Sequence, residues 1–168
     1  MSTVLFTPQA ADRIARLAAA AGDGLETGGI LLGADDGLAG PIEVRHCGDP
    51  GPAVVRRRTY FRRDLAHARI LAADAAAADG SAWIGEWHTH GIAMPEPSSR
   101  DLRTYQKLLD DPQLAFARIL AVIVLAGPDA SWHAPVLHAW SFTGSVLRQL
   151  PVHIARSCKP ASCQGDTP

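Results

Sequence analysis

The feature that most constrains the fold is the unbroken apolar run ILAVIVLA at residues 119–126. A membrane-spanning helix needs about 20 such residues, so this run is far too short to cross a bilayer and no membrane partner is expected. A short continuous apolar run is typical of a strand buried within a sheet. We therefore predict a central strand here, around which the other elements pack.

Other segments of the chain carry helix and strand signals in a fixed order. Thr7-Pro8 is typical of a helix start, with Thr7 as N-cap, and this first helix is expected to end at Gly22 and Gly24. The alanine-rich segment 64–79 favours a second helix, and a third is expected from Ser98 or Ser99. Besides the central run, strands are predicted for GGILLG (28–33), IEVRHC (42–47), AVVRRRTYF (53–61), SAWIGEWHTH (81–90) and SWHAPVLHAWSF (131–142), the last containing Pro135, which favours an edge or a bulge.

The order is helix, three strands, helix, strand, helix and two strands. This order predicts an α/β protein of the α+β type, with a mixed β-sheet flanked by helices rather than a doubly wound fold. A single domain is expected over residues 1–155, and the polar, proline-containing stretch 156–168 is expected to be a disordered tail.

Composition narrows the class of partner and the compartment. The formal net charge of −1 gives no general field for nucleic acid or an anionic membrane. Three cysteines form an odd, sparse set, which fits reduced thiols better than disulfides. The N-terminus lacks the basic and apolar regions of a signal peptide, so a cytoplasmic location is expected.

A candidate metal site lies in GEWHTHGIAMPEPSSRD, residues 85–101. Alternate residues of a strand face the same side, so His88 and His90 could point at one ion. Asp101 could supply a third ligand, and three protein ligands leave a position open for water, as in catalytic zinc sites. Ser98-x-x-Asp101 also matches a capping box, so a purely structural role for both residues stays open.

Together, His88-Thr89-His90, seven residues and Ser98-x-x-Asp101 resemble the H-[ST]-H-x7-S-x2-D signature of the JAMM metalloproteases, the MPN+ or JAB family. The similarity covers nearly all of the chain except the tail. It includes Glu26, in the stretch ETGGILLG, at the position of that family's upstream glutamate. One position departs from the pattern, because Gly91 stands where the family commonly has proline, and altered loop geometry is expected there.

The resemblance implies the MPN/JAB fold, which is cytidine-deaminase-like, with Zn2+ held by His88, His90 and Asp101. It implies that Glu26 is the general base for attack by a zinc-bound water, and that Ser98 stabilises the oxyanion. It further implies a zinc isopeptidase or peptidase that cuts after the C-terminal glycine of a ubiquitin-like protein or its conjugate.

Small bacterial members accompany activating (E1-like) and conjugating (E2-like) enzymes, some in antiphage CBASS or Bil operons. The alternatives are a sulfur-carrier processing protease and a non-catalytic MPN scaffold.

Other residues have competing interpretations. Glu86 is a rival general base, or a salt-bridged strand residue. Trp83 and Trp87 are expected to share the strand face opposite His88 and to pack in the core. Five arginines around Tyr60 could form a solvated surface or receive an acidic face of a protein substrate. These arginines are Arg56, Arg57, Arg58, Arg62 and Arg63.

The remaining histidines and cysteines that were considered lack the spacing of a metal site. They are His133, His138, His153, Cys158 and Cys163.

Overall fold

The computed structural model describes residues 2–156. Within that range the chain forms three helices and ten strands. The helices are α1 (Pro8–Ala21), α2 (Leu65–Asp79) and α3 (Ser99–Leu109). The strands are β1 (Val4–Phe6), β2 (Gly28–Asp35), β3 (Ile42–Cys47), β4 (Val55–Arg57), β5 (Tyr60–Arg62), β6 (Ala82–Thr89), β7 (Ile119–Leu125), β8 (Val136–Phe142), β9 (Leu147–Leu150) and β10 (Val152–Ile154).

Eight of these strands form one mixed sheet in the order β10-β1-β3-β2-β6-β7-β8-β9. The β6–β7 and β1–β3 pairs are parallel, whereas β2 runs antiparallel to both β3 and β6. The predicted mixed sheet flanked by helices is therefore confirmed. Strand β7 is interior and fully buried over Ile119–Val124, as its unbroken apolar sequence indicates.

The helices cover both faces of the sheet. On one face, α1 buries Ala10 and Ile14 against Trp87, Leu120 and Val122. On the other face, α3 packs Tyr105 and Leu108 against β7, and α2 packs on β2 through its small alanine side chains. Each fully buried aliphatic side chain contributes about 1.5–3 kcal/mol from removal of its apolar surface from water.

The helix ends follow the local sequence signals. Thr7 caps α1 and accepts a hydrogen bond from Ala10 N, while Gly22 ends the helix in the left-handed conformation at φ 43°. Asp64 caps α2 by accepting from His67 N. Ser98 caps α3. These contacts satisfy backbone groups that a helix end leaves unpaired.

Three short edge or near-edge strands, β1, β9 and β10, were absent from the sequence prediction. The segment 53–61, predicted as one strand, is instead part of the β4–β5 hairpin, a separate two-stranded sheet. Pro135 lies just before β8, and β8 pairs with both β7 and β9. The prediction of an edge strand or a bulge there was therefore wrong, because β8 has a partner on each side and its register with β7 does not shift.

The two tryptophans of β6 face opposite sides of the sheet, contrary to the prediction. Trp87 packs in the core beneath α1, whereas Trp83 packs against Phe116 and the α2 side. The β2–β6 register shifts between Leu31 and Leu32, where Leu31 pairs with Gly85 and Leu32 with Trp83. This irregularity breaks strict alternation and turns Trp83 to the other face.

None of the helices described here is both long enough and apolar enough to span a bilayer. The predicted tail, apart from its first residue, lies outside the described residues, as do Cys158 and Cys163.

Candidate metal centre

The two histidines lie at the end of an interior strand. His88 is in β6, and His90 follows its last residue and continues the ladder by donating its backbone N–H to Val124 O at 3.1 Å. Both side chains are buried, at 3% and 4% exposure. His88 Nε2 and His90 Nε2 are 3.0 Å apart, so the two rings converge on one point as strand alternation predicts.

Asp101 reaches the histidines from the first turn of α3. Its Oδ2 lies 3.4 Å from His88 Nε2 and 3.5 Å from His90 Nε2. The same oxygen accepts hydrogen bonds from Ser98 N at 2.7 Å and Ser98 Oγ at 2.6 Å, and Asp101 N donates to Ser98 Oγ at 3.2 Å. The capping box is thus present, and it holds the carboxylate toward the histidines instead of excluding it from them.

The spacing of the three donor atoms fits a zinc ion. A tetrahedral zinc with bonds of about 2.0–2.1 Å separates its ligand atoms by roughly 3.3 Å, and the three observed separations are 3.0, 3.4 and 3.5 Å. Two imidazoles and one carboxylate are a donor set that zinc accepts. Among residues 2–156, this is the only group of three histidine, cysteine or acidic residues close enough to hold an ion.

Glu26 is held beside this centre by backbone contacts from two directions. Its N–H donates to Arg57 O at 2.9 Å, and its carbonyl accepts from Arg56 Nε at 3.0 Å. Next to it, Thr27 N donates to Thr89 Oγ1 at 2.9 Å, and Thr89 N donates to Thr27 O at 2.7 Å. The hairpin and the end of β6 therefore fix the glutamate between them.

The environment of Glu26 alters its acidity. The pKa of the Glu26 carboxyl is raised to about 7. Burial is the main cause, the charges of His90 and Arg100 act to lower the pKa, and the charge of Asp101 acts to raise it. A carboxyl that titrates near neutrality is suited to general acid–base chemistry.

The candidate ligands also change the pKa values of one another. Burial alone would raise the pKa of Asp101, but hydrogen bonds from His88, His90 and Ser98 hold it well below its usual range. Burial lowers the pKa of His90, yet Asp101 and the Met94 carbonyl, 2.8 Å from His90 Nδ1, leave it raised overall. The carboxylate is therefore ionised and available as a ligand, and the Met94 contact orients the ring.

Close strand packing supports the histidine geometry. Gly28 pairs with His88 across β2 and β6, and a Cβ at Gly28 would lie 2.7 Å from His88 Cβ and 2.2 Å from Trp87 O. Only glycine permits this approach. By contrast, a Cβ at Gly91 would meet nothing closer than Arg58 O at 3.5 Å, so the backbone there has room for a side chain.

The structure places Glu86 in a buried ion pair with Arg63. This matches the salt-bridge interpretation, because a carboxylate engaged by a guanidinium is a poor proton acceptor. His133 and His153 are exposed and away from any metal-binding group of the described chain.

Sequence reasoning missed three contacts: the Arg56 contact to Glu26, the Thr27–Thr89 pair, and Phe61, whose ring stacks on His88 at 6.2 Å. These contacts join distant parts of the chain and leave no local pattern.

The fold and the donor set define an α+β protein with a three-ligand candidate metal centre at the end of an interior strand. A family model described as prokaryotic homologs of the JAB domain matches residues 7–143. The chain belongs to this family. The resemblance drawn from the motif and the predicted fold are both confirmed.

Two curated relatives are both named CD-NTase/cGAS isopeptidase. The protein from Escherichia coli (strain TW11681) is 32% identical over 82 residues, 48% of this chain and 51% of that protein. The protein from Enterobacter hormaechei subsp. hoffmannii (strain UCI 50) is 30% identical over 115 residues, 64% of this chain and 59% of that protein. The matches thus span little more than half of either relative.

The fold is also similar to that of a protein from Desulfitobacterium hafniense known from its solution structure. The TM-score is 0.63 at 19% sequence identity, covering 91% of this chain and 93% of that one. At this identity the likeness concerns the fold alone.

Proposed function

We propose that this chain is a zinc-dependent isopeptidase or peptidase that cleaves after the C-terminal glycine of a ubiquitin-like protein or its conjugate. Membership of the JAB family and the isopeptidase names of two relatives support the reaction class. The observation that carries the proposal is the convergence of His88, His90 and Asp101 at 3.0–3.5 Å, with the buried Glu26 beside them.

His88, His90 and Asp101 would hold the metal, and each has a reason to keep its position. Strand pairing fixes His88, the Met94 carbonyl orients His90, and the α3 cap orients Asp101. When bound, zinc supplies Lewis-acid chemistry, lowering the pKa of a coordinated water and polarising the scissile carbonyl.

Glu26 is the proposed general base. With a pKa raised to about 7 without metal, its carboxylate can accept a proton at an oxygen and later deliver that proton to the leaving amine.

Ser98 is the proposed oxyanion-stabilising residue. In this structure its hydroxyl donates to Asp101 Oδ2 at 2.6 Å. To donate to an oxyanion, the hydroxyl must rotate away from Asp101, while Ser98 N can keep its own 2.7 Å bond to that carboxylate. The cap and the catalytic role are therefore compatible, because the cap uses Ser98 N as a donor and Ser98 Oγ as an acceptor, whereas the oxyanion needs only the hydroxyl hydrogen.

The names of the two relatives suggest which conjugate is cut. We propose that the chain removes a ubiquitin-like protein from a nucleotidyltransferase of the CD-NTase type, in an antiphage pathway with activating and conjugating enzymes as operon partners. The proposed substrate comes by analogy from these two relatives, and the matched region covers 51% and 59% of their lengths.

The test is cleavage by purified, zinc-loaded protein of a ubiquitin-like protein joined through Gly-Gly to a lysine side chain. Zinc content is measured on the same samples. Glu26→Gln should retain zinc and lose at least a hundredfold in rate, whereas Glu96→Gln, at an exposed glutamate of the 91–97 loop, should behave as wild type.

Equal rates for Glu26→Gln and wild type would refute Glu26 as the base. Zinc binding without any cleavage would favour the scaffold alternative. Cleavage only of a linear extension beyond Gly-Gly would favour sulfur-carrier processing.

A further inference from the structure

A groove of about 440 Å³ runs between α3 and the β4–β5 hairpin. One wall is a stripe on α3 made by Arg100, Arg103 and Lys107, which share a helix face because they are three and four residues apart. The other wall is Arg57 and Tyr60 of the hairpin. We call this the cationic groove. It contains four basic side chains, and no acidic side chain lines it.

These cations are presented to solvent instead of being neutralised. Within residues 2–156, none of the four basic side chains has a charged nitrogen within 4.0 Å of a carboxylate oxygen. Arg100 makes a cation–π contact instead, with its guanidinium carbon 4.9 Å from the centre of the Tyr60 ring. Two other arginines of the hairpin segment are used internally, since Arg56 pairs with Asp23 and Arg63 pairs with Glu86. Arg56 and Arg63 thus form ion pairs within the fold, whereas the side chain of Arg57 lines the groove.

The groove begins beside the candidate metal centre. Arg100 is adjacent to the candidate ligand Asp101 in the first turn of α3. From Arg100 to Lys107 the helix rises roughly 10 Å, the length of about three residues of extended chain. On the hairpin side, Phe61 stacks on His88, so the residue after Tyr60 contacts a candidate ligand.

We propose that the cationic groove binds an acidic segment of the protein substrate, about three or four residues long, close to the scissile bond. Guanidinium groups pair well with carboxylates, and an open surface lets each ion pair form without burying an unpaired charge. The whole chain carries a net charge of −1, so the molecule provides no general field that attracts a long polyanion such as nucleic acid, and the positive charge is confined to a groove of short length. The inference rests on the proposed function for the statement that the substrate is a polypeptide.

The test measures binding without cleavage. The anisotropy of a fluorescein-labelled tetraglutamate peptide is titrated with the full chain, with and without zinc, against a tetraglutamine peptide. Arg103→Gln/Lys107→Gln should weaken tetraglutamate binding about tenfold, from loss of two exposed ion pairs. The matched control Arg69→Gln/Arg148→Gln removes the same charge from exposed positions outside the groove and should change the dissociation constant by less than about twofold.

Equal weakening in the two double variants would overturn the proposal, because it would show that net charge alone is sensed. No saturable binding of tetraglutamate to wild type, or tetraglutamine binding as tight, would also overturn it. Tighter binding of a four-nucleotide single-stranded DNA would assign the groove to nucleic acid instead. None of these readouts needs zinc or activity, so failure here is distinguishable from failure of the proposed function.

Discussion

Removing the Ser98 hydroxyl should destabilise the folded protein even without metal. Ser98 Oγ accepts from Asp101 N at 3.2 Å and donates to Asp101 Oδ2 at 2.6 Å. Loss of an N-cap costs about 1 kcal/mol, and loss of a hydrogen bond to a charged group costs about 1.5–3 kcal/mol. Because Ser98 N still donates to the carboxylate at 2.7 Å, we expect a total near the lower end of the sum, about 2.5 kcal/mol, for Ser98→Ala.

The assay is urea unfolding of chelator-treated protein, followed by tryptophan fluorescence. Ser99→Ala is the matched control, since Ser99 is the exposed neighbouring serine at the first helical position. Ser98→Thr should retain most of the stability, because threonine also caps helices. If Ser98→Ala and Ser99→Ala unfold at the same urea concentration, the capping geometry contributes nothing and this reasoning fails.

Three further predictions follow from close packing, ligation and burial. Gly28→Ala should destabilise the fold by about 2 kcal/mol or more and weaken zinc binding, because its Cβ would lie 2.2 Å from Trp87 O, whereas Gly91→Ala should leave both within error; unfolding curves and zinc titrations of the pair check this. Asp101→Asn should weaken zinc binding at least tenfold by removing a charged ligand, measured by chelator competition. Cys47, whose pKa burial raises to about 12, should react with iodoacetamide at pH 8.5 at least a hundredfold faster after unfolding, as peptide mass mapping would show.

Helices and long strands were predictable because their signals are local. Thr7-Pro8, Gly22 and Asp64 mark helix ends by chemistry that acts within four residues. Strands of three or four residues, such as β1 and β10, are too short to show a period, and their pairing depends on segments far away in the chain. The reversed face of Trp83 comes from a register shift, which alternation alone cannot reveal.

The candidate ligands were predictable for a different reason. The motif names His88, His90 and Asp101, and strand alternation explains why the histidines converge. What holds Glu26 in place was not predictable, because the Arg56 contact and the Thr27–Thr89 pair join residues 30 and 62 positions apart. The segment predicted as a third strand proved to be the hairpin that positions this glutamate.

The central claim is that one zinc ion is held by His88, His90 and Asp101, and zinc K-edge X-ray absorption of the purified chain tests it most directly. We expect one zinc per chain with only nitrogen and oxygen neighbours at about 2.0–2.1 Å, and loss of the signal's imidazole features in His88→Ala/His90→Ala. A sulfur neighbour at about 2.3 Å would show cysteine ligation, and either that result or folded protein that binds no zinc would contradict the assignment.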